Sequence, residues 1–407
     1  MSVSAGDTAW LLVATALVMV MLPGLALFYG GLVRRKNVLS TIMHSFFGLA
    51  LVSVVWVAVG FSLAFGRDVS GAGLIGGLEF VGFSGVGLEP DPAYAPTVPF
   101  VLFAAFQLMF AAITPALISG AFAERKRFGA FVLFTLLWSL FVYSPIAHWV
   151  WAPGGWLREL GALDFAGGTV VHISSGISAL VAAVVVGRRR ANGDRLEPHD
   201  LPMTVLGAGL LWFGWFGFNA GSALGANGLA ANALLVTNTA AGAATLSWVL
   251  ASYLHRGKVS VIGAAAGAVA GLVAITPAAG FVTAGGALLI GAGVGALCYS
   301  ATLLRERLRI DDALDVFAVH GVGGVFGAVA TGVLAVAAIG GVSGAIEGNL
   351  GQVAVQLIAV ATVAGFAAVG TLVIVKAVEF VLGLRVEPQA EEVGLDLALH
   401  GEAAYQP

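Results

Sequence analysis

The chain has 407 residues, of which 59% are hydrophobic and only 10% are charged, with a formal net charge of −3. A soluble domain carries about 25% charged residues because its surface faces water. This composition excludes a water-soluble globule and indicates a protein whose solvent is the lipid bilayer. The single cysteine, Cys298, excludes an intramolecular disulfide and a cysteine metal cluster. Nothing in the charge pattern indicates nucleic-acid binding.

Eleven apolar runs follow one another along the chain, and we predict that each crosses the membrane as a helix. A hydrocarbon core about 30 Å thick needs roughly 20 apolar residues per helix. The predicted spans are 8–33, 41–65, 98–123, 128–151, 166–187, 202–221, 228–253, 259–275, 282–304, 314–338 and 351–382. The first run is too long for a signal peptide, so we expect it to be retained. We therefore predict an all-α integral membrane domain at 1–382 and a polar tail at 383–407.

Basic residues are concentrated in alternate connections, and this asymmetry predicts the orientation. Of the 19 Lys and Arg residues, 16 lie on one side: Arg34, Arg35, Lys36, Arg125, Lys126, Arg127, Arg188, Arg189, Arg190, Arg195, Arg256, Lys258, Arg305, Arg307, Arg309 and Arg385. The other connections hold Arg67 and Arg158, and Lys376 lies near the inner end of the last span. The positive-inside rule then predicts an N-terminus outside and a C-terminus in the cytoplasm. Only an odd number of spans fits this alternation.

Two spacings recur in the two halves of the chain. Asp164 precedes His172 by eight residues, and Asp312 precedes His320 by eight residues. A second pattern, Gly with Phe four residues later and Gly three residues further, also occurs twice, at 24–31 and 214–221. Five spans per half would invert the second half relative to the first. We therefore predict that spans 1–5 and 6–10 form an inverted repeat, with the eleventh span outside it.

Two histidines, His172 and His320, lie well inside predicted spans, where ionisable side chains are rare and mostly functional. The simplest alternative is two separate buried rings, each bonded to a backbone carbonyl. Their matching positions favour a conducting path. Burial favours the neutral imidazole, which has one donor and one acceptor nitrogen, so adjacent rings can share a proton. A metal site is a weaker interpretation, because no further ligands stand at ligand spacing.

Aromatic and hydroxyl residues near the predicted outer ends of spans form a second candidate site. They are the stretch 106–110, Trp151, Phe218 and Ser222. Each one alone is explained by interface anchoring or helix packing, and the spacing leaves their convergence open. A Trp face beside a hydroxyl would nevertheless suit a small cation, through cation–π attraction and a hydrogen bond. Asp164 has two interpretations, a direct cation ligand or a helix cap, and we favour the cap.

The chain closely resembles the ammonium transporter/Rhesus family, on its bacterial ammonium transporter side. The stretch 164–172 (DFAGGTVVH) is similar to that family's signature, which continues through 187–189. Further matches lie at 23–31, 214–222, 315–321, 394–396 and 400–405. The resemblance covers nearly the whole chain. It implies a homotrimer of eleven-helix protomers, each with its own narrow pore.

The resemblance also implies an outer recruitment site for ammonium. By their positions in the motifs, Trp151, Ser222 and Phe106 resemble the residues of that site. Asp164 resembles the acidic residue that members of the family have near the recruitment site.

Below that site the resemblance implies a gate and a pore lining. Phe110 and Phe218 resemble the family's stacked phenyl gate, and His172 and His320 resemble its pore histidine pair. Thr276 resembles a pore-lining hydroxyl.

These residues imply an ammonium transporter or channel that recruits NH4+, deprotonates it near the gate and conducts NH3 past the histidines. Methylammonium would be an analogue, and neither a cofactor nor an enzymatic activity is expected. The proton either follows along the pair or stays outside. The alternatives are a Rhesus-like neutral gas channel for NH3 or CO2, an ammonium sensor, and, more weakly, a sodium-coupled symporter.

The acidic tail at 383–407 has two interpretations. It is either disordered, or an ordered cytoplasmic segment that couples subunits and responds to a PII-type regulatory protein, as the resemblance implies. We expect the protein in the plasma membrane.

Overall fold

The structure is a computed structural model that describes residues 2–190 and 196–405, so Arg195, counted above among the basic residues, lies outside the described residues. The described chain is a bundle of long apolar helices. They are α1 (Ala5–Leu32), α2 (Arg35–Phe65), α3 (Phe100–Phe122), α4 (Phe128–Glu159), α5 (Gly168–Val186), α6 (Leu201–Gly221), α7 (Gly228–Arg256), α8 (Val261–Ile275), α9 (Ala284–Arg307), α10 (Phe317–Leu334) and α11 (Gly351–Leu382). Within this part of the chain, ten are long enough to cross a membrane, and α8 is a shorter apolar helix.

Each predicted apolar run coincides with one of these helices, which confirms the all-α membrane fold. Most ends agree to within a few residues. One difference is that α2 begins at Arg35, because a 3-10 turn at Arg35–Asn37 leads directly into the helix. The second difference concerns α4: its long helical part ends at Trp151, and a short helical turn follows at Trp156–Glu159.

The outer surface of the bundle is apolar, as a lipid-facing surface must be. Large side chains such as Leu246, Leu254 and Phe380 are 73%, 75% and 93% exposed in the single chain. In water, exposed apolar area of this kind is unfavourable, whereas lipid tails solvate it. The helices satisfy their backbone hydrogen bonds internally, which the hydrocarbon core requires.

The first helix of each half, α1 and α6, pack antiparallel along their length through glycines. A Cβ atom at Gly217 would lie 2.6 Å from the carbonyl oxygen of Ala14. Towards the other end of the pair, a Cβ at Gly207 would lie 2.7 Å from the carbonyl oxygen of Gly24. Only glycine allows backbones this close. Two glycines of the repeated pattern lie at this contact as well, since a Cβ at Gly24 would lie 3.2 Å from the backbone nitrogen of Leu211 and one at Gly214 would lie 2.6 Å from the carbonyl oxygen of Leu17.

The connections after α1, α3, α5, α7 and α9 carry most of the basic residues, and we call their side of the bundle the basic face. On this face, Glu124 is fully buried and accepts hydrogen bonds from the backbone N–H of Arg34 at 2.7 Å and from Asn37 at 3.0 Å. The guanidinium of Arg189 forms ion pairs with two carboxylates, that of Glu124 at 2.9 Å and that of Asp311 at 2.8 Å. Burial opposes ionisation of Glu124, but Arg189 and Arg34 outweigh it and lower its pKa. This network ties four connections together.

The tail is docked on the basic face. It contains the short helix α12 (Pro388–Val393), and the buried carboxylate of Glu391 pairs with Arg385 at 2.8 Å. Asp396 accepts the backbone N–H of Ser40 at 2.8 Å, near the first turn of α2, where a carboxylate complements the helix dipole. The tail as far as residue 405 is therefore an ordered segment.

The opposite face carries the longest connection, between α2 and α3. It includes a two-stranded antiparallel sheet of β1 (Pro90–Asp91) and β2 (Ala95–Pro99). The indole nitrogen of Trp149, near the end of α4, donates to the carbonyl of Leu74 in this connection at 2.7 Å. The connection thus folds onto the same end of the bundle as the predicted aromatic site.

Candidate functional site

Three cavities follow one another from the opposite face to the basic face. The first, the aromatic cavity, has about 160 Å³; the second, the narrow passage, about 10 Å³; the third, the basic-face cavity, about 550 Å³. Phe110 lines the first, and its ring centroid lies 4.2 Å from that of Phe218, which lines the second. His320 lines both the second and the third. The cavities therefore mark one path through the bundle.

The aromatic cavity brings together three of the predicted site residues, Phe110, Trp151 and Ser222. Its full lining is Phe65, Ala93, Tyr94, Phe103, Gln107, Phe110, Trp151, Arg158, Phe165, Ser222 and Leu224. Phe106 lies behind this lining, fully buried, with its ring centroid 4.9 Å from that of Phe110. Gln107 lies in the stretch 106–110 but was not singled out from the sequence.

Trp151 is fixed from two directions where α4 ends. Its indole nitrogen donates to the carbonyl oxygen of Asp164 at 3.1 Å, and its ring meets Phe110 edge-on at 5.8 Å. The hydroxyl of Ser222 donates its proton to the carbonyl of Phe218 at 2.8 Å. Its oxygen lone pairs therefore remain as acceptors for a cation. The cavity combines an aromatic face with a hydroxyl acceptor, which suits a small cation.

The carboxylate of Asp164 is directed at the backbone at the start of α5. One of its oxygens accepts the N–H groups of Gly167 at 2.7 Å and Gly168 at 2.6 Å. The other accepts the N–H of Thr169 at 2.7 Å, together with that residue's hydroxyl, and the N–H of Val170 at 3.2 Å. This is the geometry of a helix cap. A cation bound directly to this carboxylate would have to compete with all of these donors.

Phe110 and Phe218 separate the aromatic cavity from the narrow passage. Their ring planes make an angle of 37°, and neither side chain is more than 1% exposed. A molecule moving between the two cavities must displace at least one ring. The pair therefore has the geometry of a gate.

His172 and His320 meet in the narrow passage. Their Nδ1 atoms lie 3.2 Å apart, and the side chains are 1% and 4% exposed. Each lies in a single π-helical turn, Gly168–Ile173 or Phe317–Gly321, the kind of turn that often marks functional sites. Nε2 of His172 forms no hydrogen bond with any residue the structure describes, so it is available to a guest. The remaining lining is Met21, Leu25, Phe28, Ile113, Leu117, Val171, Leu211, Trp215, Phe218 and Val269.

The helices that carry the two histidines touch through their backbones. A Cβ at Gly176 in α5 would lie 2.9 Å from the carbonyl carbon of His320 and still closer to Gly321 in α10. No side chain fits between them. The spacing of the histidine pair is therefore fixed by backbone contact.

Trp215 is a residue of the passage that the sequence analysis did not single out. Its ring lies parallel to that of His172, with centroids 5.4 Å apart and an interplanar angle of 24°. Its indole nitrogen donates to the hydroxyl of Thr276 at 2.9 Å, and that hydroxyl donates to the carbonyl of Leu272 at 2.7 Å. Thr276 is fully buried and, in the described part of the chain, reaches the path through Trp215 rather than lining it.

Asp312 caps α10 as Asp164 caps α5, but with fewer bonds. One of its oxygens accepts the N–H of Phe317 at 2.7 Å, and the other has no partner in the part of the chain that the structure describes. Burial, and then the neighbouring carboxylate of Asp315, raise the pKa of Asp312 to about 6. Asp315 itself lines the basic-face cavity and pairs with Arg305 at 2.6 Å.

The profile of the Ammonium Transporter Family matches residues 9–405. The chain belongs to this family. It is 51% identical over 404 residues to a protein of Bacillus subtilis strain 168 named ammonium transporter, with 98% of each chain covered. It is 48% identical over 403 residues to ammonium transporter Amt1 of Archaeoglobus fulgidus, covering 99% of this chain and 100% of that protein.

Solved structures of family members share the fold. The crystal structure of Mep2 from Saccharomyces cerevisiae superposes with a TM-score of 0.89 at 38% identity, covering 95% of this chain and 88% of that chain. A solved sensor Amt protein superposes with a TM-score of 0.88 at 31% identity, covering 97% and 98%. The eleven-helix arrangement of this family member is thus the arrangement of its relatives.

Proposed function

We propose that this chain transports ammonium by recruiting NH4+ in the aromatic cavity, removing a proton and passing NH3 through the narrow passage. The observation that carries this proposal is the histidine pair at the narrowest of three successive cavities. The relatives named ammonium transporter, at 51% and 48% identity over nearly the whole chain, support the substrate.

Recruitment rests on the chemistry of the aromatic cavity. The Trp151 face attracts a cation through its ring quadrupole, by about 0.5–2 kcal/mol depending on desolvation. The oxygen of Ser222 accepts a hydrogen bond from the same ion, because its own proton is given to the carbonyl of Phe218. We assign Asp164 an indirect part: its carbonyl holds the indole of Trp151, and its negative charge favours a cation at the mouth.

Deprotonation follows from the size and polarity of the narrow passage. Its volume of about 10 Å³ is close to the space that a single water needs. An unpaired ammonium ion in such an apolar site would lose its hydration without replacement, whereas NH3 carries no charge. We therefore assign Phe110 and Phe218 as the gate at which NH4+ gives up its proton, either to Nε2 of His172, whose ring lies 6.0 Å from that of Phe218, or to water in the aromatic cavity.

The histidine pair offers the path for what has passed the gate. Each neutral ring has one N–H, so one proton lies between the two Nδ1 atoms, and the Nε2 atom of each ring takes no part in that bond. Nε2 of His172 accepts a hydrogen bond or a proton, and His320 borders the basic-face cavity, where release occurs. If the proton moves along the pair, transport carries charge; if it stays behind, transport is neutral.

We further propose that the basic face is cytoplasmic and that the aromatic cavity opens outside the plasma membrane. The excess of basic residues on that face supports this orientation. The docked tail supports a regulatory role for 383–407, with Glu391 and Asp396 as its anchors, since they accept the backbone N–H groups of Arg190 at 2.6 Å and Ser40 at 2.8 Å. A homotrimer and a PII-type protein binding at this face belong to the same proposal.

The experiment is an ammonium concentration jump on proteoliposomes adsorbed to a solid-supported membrane. We expect a current from the wild type, and altered responses from His172→Ala and Phe218→Ala with unchanged assembly. Wild-type currents in both variants would remove the pore assignment. If the wild type gives no current but speeds equilibration of NH3, a Rhesus-like neutral gas channel becomes the better reading.

A further inference from the structure

Arg158 brings a positive charge to the lining of the aromatic cavity. It lies in the short turn Trp156–Glu159, and its Nη1 donates to the carbonyl oxygen of Trp151. Among the described residues of this lining, every other side chain is aromatic, aliphatic or neutral and polar. A fixed cation beside a site for a cation requires an explanation.

No Asp or Glu side chain stands among the described residues that line the cavity, so none cancels this charge there. Asp164 is directed at the backbone, and the described residues offer Arg158 no carboxylate within 4.0 Å. Charged residues also surround Tyr94, whose phenol is at the rim of the cavity. Burial, and then the carboxylates of Asp91 and Glu79, raise the pKa of this phenol to about 12. The positive charges of Arg158 and Arg67 oppose that shift. Of these four rim charges, Arg158 is the one whose side chain lines the cavity.

We propose that Arg158 is a charge filter at the mouth of the aromatic cavity, a specificity-determining residue that holds Trp151 by its carbonyl and repels cations in proportion to their charge. The proposal rests on recruitment of NH4+ in this cavity. A monovalent ion is compensated by the Trp151 face and the Ser222 oxygen. A divalent ion meets twice the repulsion from Arg158, so this residue lowers its occupancy more than that of a monovalent ion.

The expected size of the effect follows from Coulomb's law. For charges about 8 Å apart in water, the repulsion changes occupancy by about two- to threefold for a monovalent ion and roughly four- to ninefold for a divalent one. Because Arg158 is exposed, salt screens the effect over about 10 Å at 0.1 M ionic strength. Salt dependence is therefore the signature that separates a charge filter from a purely structural role.

The test compares Arg158→Gln, which removes the charge, with Arg158→Lys, which keeps it. Methylammonium uptake into proteoliposomes is measured at low and high ionic strength, with the ethylenediammonium dication as competitor. For Arg158→Gln at low salt we expect a KM about two- to threefold lower, with kcat unchanged. Inhibition of Arg158→Gln by the dication should be roughly four- to ninefold stronger than inhibition of the wild type. Both effects should vanish at high salt, and Arg158→Lys should behave as the wild type.

Two results would overturn the filter. An equal, salt-independent rise in KM for both variants would mean that the guanidinium only holds Trp151, and an unchanged KM and inhibition would mean that its charge is not felt. Trp151→Leu tests recruitment separately. If its KM rises while Arg158→Gln has no effect, the filter fails and the cavity assignment survives. If its KM is unchanged, the cavity assignment fails, and the filter, which rests on that assignment, fails with it.

Discussion

Nδ1 of His172 lies 3.2 Å from Nδ1 of His320, so the two rings of the passage share one hydrogen bond and one proton between them. Substituting either ring leaves the remaining Nδ1 without its partner in a site where the other lining residues are mostly aliphatic or aromatic. An unsatisfied buried polar group of this kind is unfavourable, and a proton path through the pair would be broken.

Replacing His172 by alanine should therefore reduce the ammonium-evoked current by about 10²-fold, the usual contribution of a positioned proton-transfer group. His255→Gln is the matched control, because His255 bonds Tyr299 at 2.7 Å and does not line the path cavities in the described chain. We expect the control to keep its current. A His172→Ala current equal to that of the wild type would refute a proton path through the pair.

Replacing Phe218 by alanine removes one of the two rings that stand 4.2 Å apart at the gate. The opening should then admit larger amines, so uptake of ethylammonium should rise relative to that of methylammonium. The measurement is the ratio of the two uptake rates in proteoliposomes. Phe326→Ala, on an outward-facing apolar groove, serves as the control. An unchanged ratio in Phe218→Ala would show that this ring does not set the size limit.

Replacing Trp151 by leucine removes the aromatic face and the hydrogen bond to the Asp164 carbonyl. We expect KM for methylammonium to rise about tenfold, the equivalent of a partly desolvated cation–π contact. The maximal rate should change much less, because the gate and the histidine pair are untouched. A loss of rate at unchanged KM would place Trp151 in the transport step instead.

Replacing Asp164 by asparagine should destabilise the fold, because an amide nitrogen would face backbone donors that now meet a carboxylate oxygen. We expect a loss of about 2–4 kcal/mol in the free energy of unfolding. The comparison is Asp200→Asn, since Asp200 caps α6 through one bond to Met203 and asparagine caps equally well. Thermal unfolding in detergent measures both, and equal melting temperatures would contradict the cap.

Asp312 should make stability depend on pH. Its pKa of about 6, raised by burial, means that the folded chain holds the proton more tightly than the unfolded chain. The stability it contributes is present below pH about 4 and is lost as the pH rises through about 6. The free energy of unfolding of Asp312→Asn, taken relative to that of the wild type, should therefore increase by up to roughly 3 kcal/mol between pH 4 and pH 8. A melting-temperature difference that does not change with pH would contradict this.

The spans and the histidine pair could be predicted from the sequence because both depend on simple regularities. Apolar runs reveal helices in lipid, and the equal spacing to His172 and His320 reveals equivalent positions in the two halves. The passage wall was harder to predict. Trp215 looks like any tryptophan of an apolar helix, and only its stacking on His172 assigns it to the path. The direction of the Thr276 hydroxyl likewise depends on how the end of α8 is rotated.

The aromatic cavity shows the same limit at the level of single residues. Neighbouring residues of a helix differ by about 100° in direction, so the stretch 106–110 does not reveal which side chains reach the cavity. The structure directs Gln107 and Phe110 into it and Phe106 behind it. Arg158 lies in the final turn of α4, beyond the predicted end of that span, where the sequence showed only an exception to the charge asymmetry.

The backbone contact between Gly176 and Gly321 holds α5 and α10 at a fixed separation beside the histidine pair. Side chains can change rotamer one at a time, whereas two main chains in contact move apart only if whole helices separate. A side chain at Gly176 would force the two helices apart and lengthen the hydrogen bond between His172 and His320, so the spacing of the two rings depends on a residue that has no side chain.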